Sequence, residues 1–133
     1  MKPAIEVFKP KKFKKASEAL AFALKIIRNP KRWVEGYLAV TDERDDDGDY
    51  KNCSTKSKYA VAFCALGAVR FVNGPAQKSA EGFLREAGKA ITRPDDDDTP
   101  EEQDIFDVND NLGHEKAIQM FKLAIKKAKK AGK

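Results

Sequence analysis

Three side chains carry the chemistry of a cysteine-dependent hydrolase: Cys64, His114, which is the only histidine, and Asp110, with Asn109 as an alternative orienting group. Such an enzyme needs a thiolate beside a helix N-terminus or a cation, a base within hydrogen-bonding reach, and a third group that fixes the base. The local context argues against it. Cys64 lies inside the apolar run Tyr59 to Val72, where burial raises a thiol pKa and makes it inert, and His114 falls where a helix start leaves it in solvent. No catalytic residue is assigned, and Cys64 reads first as a small core residue.

Metal chemistry has less to build on. One histidine and two separated cysteines, Cys53 and Cys64, cannot close a tetrahedral zinc site without carboxylates. With Gly48 in the glycine position of a calcium loop, Glu43, Asp45, Asp47 and Asp49 take the first, third, fifth and seventh places, but the closing glutamate is replaced by Ser54. That leaves at most weak divalent binding by a solvated acidic loop. Neither a glycine-rich phosphate loop nor a glycine-flanked serine is present, so no metal or cofactor is expected. Binding is the remaining chemistry. If the fold gathers Trp33, Cys64, Asn109 and Asp110, they line a shallow pocket with an aromatic wall and polar ends. A second candidate is a polyanion patch at Lys126, Lys127, Lys129 and Lys130, to which Lys133 and the N-terminal Lys9, Lys11, Lys12, Lys14 and Lys15 would add.

The charge is segregated. Residues 1–32 hold ten Lys/Arg and two Asp/Glu, residues 33–110 hold nine and eighteen, and residues 111–133 hold seven and one, so basic ends flank an acidic middle. The plain reading is that the terminal helices fold over the middle and the charges compensate across the surface. The polyanion reading requires instead that both lysine clusters meet on one face. A chain of 133 residues suits one domain, and 41% hydrophobic against 35% charged residues implies a modest core under a heavily charged surface. No apolar run approaches the ~20 residues of a membrane span, and the basic N-terminus lacks the apolar segment of a secretory signal. The expectation is a cytoplasmic protein with reduced thiols and no membrane partner.

The elements that must position these groups are mainly helical. Tyr59 to Val72, whose only charge is Arg70, predicts a central buried helix over 59–72. Its alanines and Gly67 let a neighbouring helix approach, and Asn73-Gly74-Pro75 reads as its stop. Around it the spacing predicts a helix opened by Ser17 and closed at Asn29-Pro30, a second carrying Ala80, Phe83, Leu84, Ala87 and Ile91, and a last one carrying Ala117, Ile118, Phe121, Ala124, Ile125 and Ala128. The fold class is thus mainly α, a compact bundle of about four helices. Short strands or an irregular hairpin are expected near 37–52 and 105–108, and the acidic residues 94–104 read as a mobile loop. Residues 1–15 read as a basic extended arm, 16–130 as a single helical domain and 131–133 as a tail.

Three landmarks occur in order: Arg32-Trp33-Val34-Glu35-Gly36, then Phe63-Cys64-Ala65-Leu66-Gly67-Ala68, then Val108-Asn109-Asp110 before the last helix. Over roughly residues 17–128 this resembles domain-of-unknown-function family 6197, a family of small bacterial and phage proteins. The resemblance implies a shared, mostly helical domain and brings no activity with it. The lysine-rich ends and the run Asp95 to Asp98 lie outside its pattern. The expected function is a non-catalytic module of bacterial or phage origin that binds a protein partner of unknown identity. Nucleic-acid or other polyanion binding through the lysine-rich termini is the alternative, and cysteine-dependent hydrolysis through Cys64 and His114 is the second alternative.

Overall fold

The computed structural model describes residues 1–72 and 74–133. In chain order these form α1 (Ala4–Val7), α2 (Ala16–Ile27), a 3-10 turn (Pro30–Arg32), β1 (Ala39–Arg44), β2 (Tyr50–Asn52), β3 (Ala62–Phe63), α3 (Ala65–Phe71), α4 (Gln77–Thr92), α5 (Glu102–Phe106), a π turn (Asp107–Leu112) and α6 (His114–Lys130). The fold is mainly α with a small antiparallel sheet in the order β2-β1-β3. No helix among the described residues is long and apolar enough to cross a membrane.

The long amphipathic segments fold as their spacing dictates. Leu20, Ala23, Leu24 and Ile27 of α2, Ala80, Leu84 and Ala87 of α4, and Ala117, Phe121, Ala124 and Ala128 of α6 are buried in one core. Ile118 and Ile125 are only half-buried, and Met120 takes the buried place beside Phe121. Helices α2 and α6 are antiparallel. Ser17, at the start of α2, bonds the Lys133 carbonyl through its N–H and its hydroxyl, both at 3.2 Å, while His114, at the start of α6, meets the carbonyl of Ile27 at the other end. That use of Ser17 displaces it from the expected cap, and Lys15 takes the N-cap position.

The apolar run does not form one helix over 59–72. Tyr59 is exposed, Val61 donates to the Val40 carbonyl at 2.9 Å, and Ala62 and Phe63 pair with β1, so the helix begins only after Cys64. From Ala60 to Val69 the run is buried on every side, which erases the periodicity that separates strand from helix. Its order decides the matter: Val and Phe precede, and the better helix formers Ala and Leu follow. A four-helix bundle around that segment is accordingly not what forms. Gly67 faces backbone rather than a neighbouring helix, since a Cβ there would lie 1.7 Å from the Leu38 carbonyl oxygen. Of the stop read at Asn73-Gly74-Pro75, Asn73 lies outside the described residues, and α3 has already ended at Phe71.

Other expectations change for local reasons. The irregular hairpin is present as β1 and β2, with a register shift between Val40 and Arg44. Residues 105–108 are helical rather than extended, because Asp104 reaches back to the Glu101 N–H at 2.8 Å and opens α5. Asp104 is itself buried and held by Arg93 at 2.7 and 2.8 Å, so the end of the acidic stretch is anchored. The N-terminal arm is not extended throughout. It makes the single turn α1, buries Ala4, and lies along the domain through Ala4 N–H to the Ala60 carbonyl and Ala76 N–H to the Phe13 carbonyl. Residues 131–133 fold back, with Lys133 N–H on the Ala128 carbonyl at 2.8 Å.

Candidate functional site

One buried side chain joins the three sequence landmarks. Asn109 accepts the Trp33 indole N–H at 2.7 Å and the Ala65 N–H at 2.9 Å on its Oδ1, and its Nδ2 donates to the Val34 carbonyl at 3.0 Å and to Asp110 Oδ1 at 2.9 Å. Asp110 Oδ1 also accepts the Gly36 N–H at 3.0 Å. The amide thus fills its capacity without water, and it reaches all these groups because the π turn widens the helix where Asn109 stands. Gly36 closes the other side with φ +81, a conformation that favours glycine. Arg32, buried and without a carboxylate partner among the described residues, donates to the Val61 carbonyl at 2.9 Å and the Lys2 carbonyl at 3.0 Å, tying the arm to the same region. Burial holds its pKa below the ordinary guanidinium value.

Cys64 is the N-cap of α3, and its sulfur accepts the Gly67 N–H at 3.3 Å. A helix N-terminus favours a thiolate, but desolvation outweighs it here and pushes the thiol up to about 11. His114 does not complete a catalytic pair. Its Nε2 lies 2.6 Å from the Ile27 carbonyl, and its ring packs on Trp33 with centroids 5.0 Å apart. Asp110 is turned to Gly36 and Asn109, not to the imidazole. The structure therefore brings Trp33, Cys64, Asn109 and Asp110 into one neighbourhood and leaves His114 on the far side of the indole.

Two cavities adjoin this neighbourhood and share Tyr37. One, of about 280 Å³, is lined by Gly36, Tyr37, Leu38, Cys64, Gln103, Phe106 and Asp110. The other, of about 400 Å³, is lined by Trp33, Val34, Glu35, Tyr37, Val40, Arg44, Asp49 and Tyr50, with the Arg44 guanidinium 3.6 Å from the Tyr50 ring centroid. Sequence reasoning did not reach Tyr37, Gln103 and Phe106. The available signal for Tyr37 was its place directly after the turn glycine of the first landmark; Gln103 and Phe106 sit in α5, which read as loop and strand. The acidic hairpin forms no cation cage: Asp45 Oδ1 accepts the N–H groups of Asp47 and Asp49 within its own turn, and no metal-holding group of His, Cys, Asp or Glu occurs among the described residues.

The lysine-rich end of α6 lies beside the start of α2. Lys14 and Lys15 precede the start of α2, Lys126 to Lys133 end α6, and the Ser17 to Lys133 bonds clamp these two ends together. The start of α4 joins them through Ala76 and Phe13. Lys9, Lys11, Lys12, Lys14, Lys15, Lys126, Lys129, Lys130 and Lys133 are exposed and Lys127 is half-buried. None of them is in an ion pair among the described residues. The run Asp95 to Asp98 follows the far end of α4, whose length of 16 residues spans about 24 Å, well beyond the ~8 Å over which salt lets exposed charges interact. That acidic loop stands at the other end of α4 from the Ala76–Phe13 contact.

The family model described as "Family of unknown function (DUF6197)" matches residues 14–127. No curated protein and no solved structure matches the chain.

Proposed function

Because the chain belongs to DUF6197, a family of unknown function, its own geometry is the guide, and we propose a non-catalytic binding domain that grips a polyanion at its lysine-rich pole. The observation that supports this reading is the clamp between Ser17 and Lys133, which joins the start of α2, preceded by Lys14 and Lys15, to the chain just beyond the lysine-rich end of α6. Glu6 and Glu18 are the only acids in the terminal stretch of the arm and α2. A backbone of phosphates or sulfates would release counterions there, and its affinity would fall steeply with salt. The test is fluorescence anisotropy with labelled duplex DNA and with heparin. Binding that weakens on the order of 10³-fold between about 50 and 200 mM salt is expected if six or more phosphates are contacted. The triple charge reversal of Lys126, Lys129 and Lys130 to Glu should flatten that dependence; equal binding by wild type and the reversed variant sinks the reading.

A second reading, a module for a protein partner, has its own support. Tyr37 and Tyr50 are exposed at 44% and 37%, and with Trp33 and Arg44 they gather the residue types that dominate interface energetics around one cleft. Displayed peptides selected on the wild-type domain and lost on Tyr37→Ala and Tyr50→Ala would favour this reading. Cysteine-dependent hydrolysis has the least support, since Cys64 is buried and neutral and His114 is engaged elsewhere.

A further inference from the structure

The smaller of the two Tyr37 cavities has a lining with one chemical sign. Asp110 is its only charged side chain, and the carboxylate is fixed by two donors, Gly36 N–H at 3.0 Å and Asn109 Nδ2 at 2.9 Å, both on Oδ1. Its Oδ2 accepts no hydrogen bond among the described residues. Gln103 donates through Nε2 to Asp107 Oδ1 at 2.9 Å, and its carbonyl oxygen has no donor among the described residues. No basic side chain among the described residues lines the cavity, and Tyr37, Phe106 and Cys64 complete its lining with Gly36 and Leu38.

We infer that this cavity is a binding site for an alkylammonium group, with Asp110 Oδ2 and the Gln103 carbonyl accepting its N–H donors and the Tyr37 and Phe106 rings facing its charge and its methylenes. Each part has a separate reason. Two acceptors with no basic side chain beside them favour a ligand that brings charged donors. A cation beside aromatic faces gains from their quadrupoles, more so when partly desolvated. The volume, about 280 Å³, lies at or below the lower bound of sites for drug-sized ligands, so it suits one amine-bearing chain. The carboxylate is preorganised, because Asn109 and Gly36 hold it in place in the empty protein and binding does not have to order it. The same chemistry has two sources, a free small amine and the side chain of a lysine on a partner. This site is independent of the basic pole.

The experiment is a titration of the ¹⁵N-labelled full chain, following the Gly36 and Ala65 amides by NMR. The probes are n-butylammonium chloride, Nα-acetyl-lysine N-methylamide, and the Nε-acetylated form of the latter as neutral control. Saturable shifts with butylammonium alone assign the site to a free amine, and shifts with the lysine amide assign it to a partner's side chain; either result supports the inference. Asp110→Asn, which keeps an oxygen for Gly36, should weaken binding on the order of tenfold, the worth of a charge-assisted hydrogen bond. Tyr37→Ala removes an exposed ring whose side chain makes no hydrogen bond among the described residues, and it should weaken binding too. The inference is overturned if neither ammonium probe saturates, if the neutral probe binds equally, or if both variants bind as wild type does. The Lys126, Lys129 and Lys130 reversal should bind the amine normally, so failure here and failure of the polyanion reading are separable.

Discussion

Two side chains show how much of the domain hangs on single groups. Asn109→Ala would strand the Trp33 indole N–H, the Ala65 N–H and the Val34 carbonyl at once. Unsatisfied buried groups cost ~1–3 kcal/mol each, so a loss of about 3 kcal/mol or more is expected in urea unfolding at neutral pH. Asn109→Asp should also destabilise, since it keeps the acceptors and loses the donor. Cys64 makes a pH prediction with a definite sign. Its folded pKa, about 11, stands above the ordinary thiol value of 9.0, so the unfolded thiol ionises first and the stability it contributes at lower pH is lost between those values. Wild type should lose roughly 2 kcal/mol more than Cys64→Ala between about pH 9 and 11, measured as midpoint shifts in denaturant. Iodoacetamide should modify Cys64 slowly in the native protein and quickly in denaturant. The polar partnership of Asn109 was legible in sequence as a short Asn-Asp landmark. The cysteine's position as a cap was not, because an unbroken apolar run does not reveal where strand gives way to helix.

Elements in this fold succeed or fail by how closely their backbones approach. Helix α3 is docked so tightly on the segment leading into β1 that Gly67→Ala would drive a Cβ to within 1.7 Å of the Leu38 oxygen. Alanine gains ~1 kcal/mol of helix propensity, but a clash with backbone cannot be relieved by a rotamer change, so a net loss of roughly 2 kcal/mol or more is expected in thermal or urea unfolding. Gly82→Ala, whose added Cβ would come no nearer than 3.7 Å to the end of the Arg85 side chain, is the matched control and should be neutral or stabilising. The sequence conveyed α2, α4 and α6 because each has a wet face and a dry face. It concealed α5 and the π turn, whose five- and six-residue lengths are too short to show a period and whose acids looked like solvent-exposed loop. What opens α5 is one buried carboxylate, Asp104, held by Arg93 from the end of α4, a long-range pairing that spacing alone does not announce.

At the scale of the whole molecule, the antiparallel packing of α2 on α6 brings the end of α6 back to the start of α2, a proximity of two lysine-rich stretches that the sequence alone could not establish. The arm belongs to that body. Removing residues 1–15 should cost about 2–4 kcal/mol, because Arg32 loses the Lys2 carbonyl and the Phe8 ring, and the Ala60 carbonyl loses its donor. The same truncation should weaken DNA binding and reduce its salt slope, which separates a structural role of the arm from a purely electrostatic one when compared with Lys-to-Gln changes at Lys9, Lys11, Lys12, Lys14 and Lys15. One last feature makes such work convenient. The chain has a single tryptophan, and its indole is hydrogen-bonded to Asn109 and packed at a tilt against His114. Emission from that one fluorophore therefore reports whether the junction of the three landmarks is assembled, with no label attached, and a red shift on unfolding gives every variant above a common optical assay.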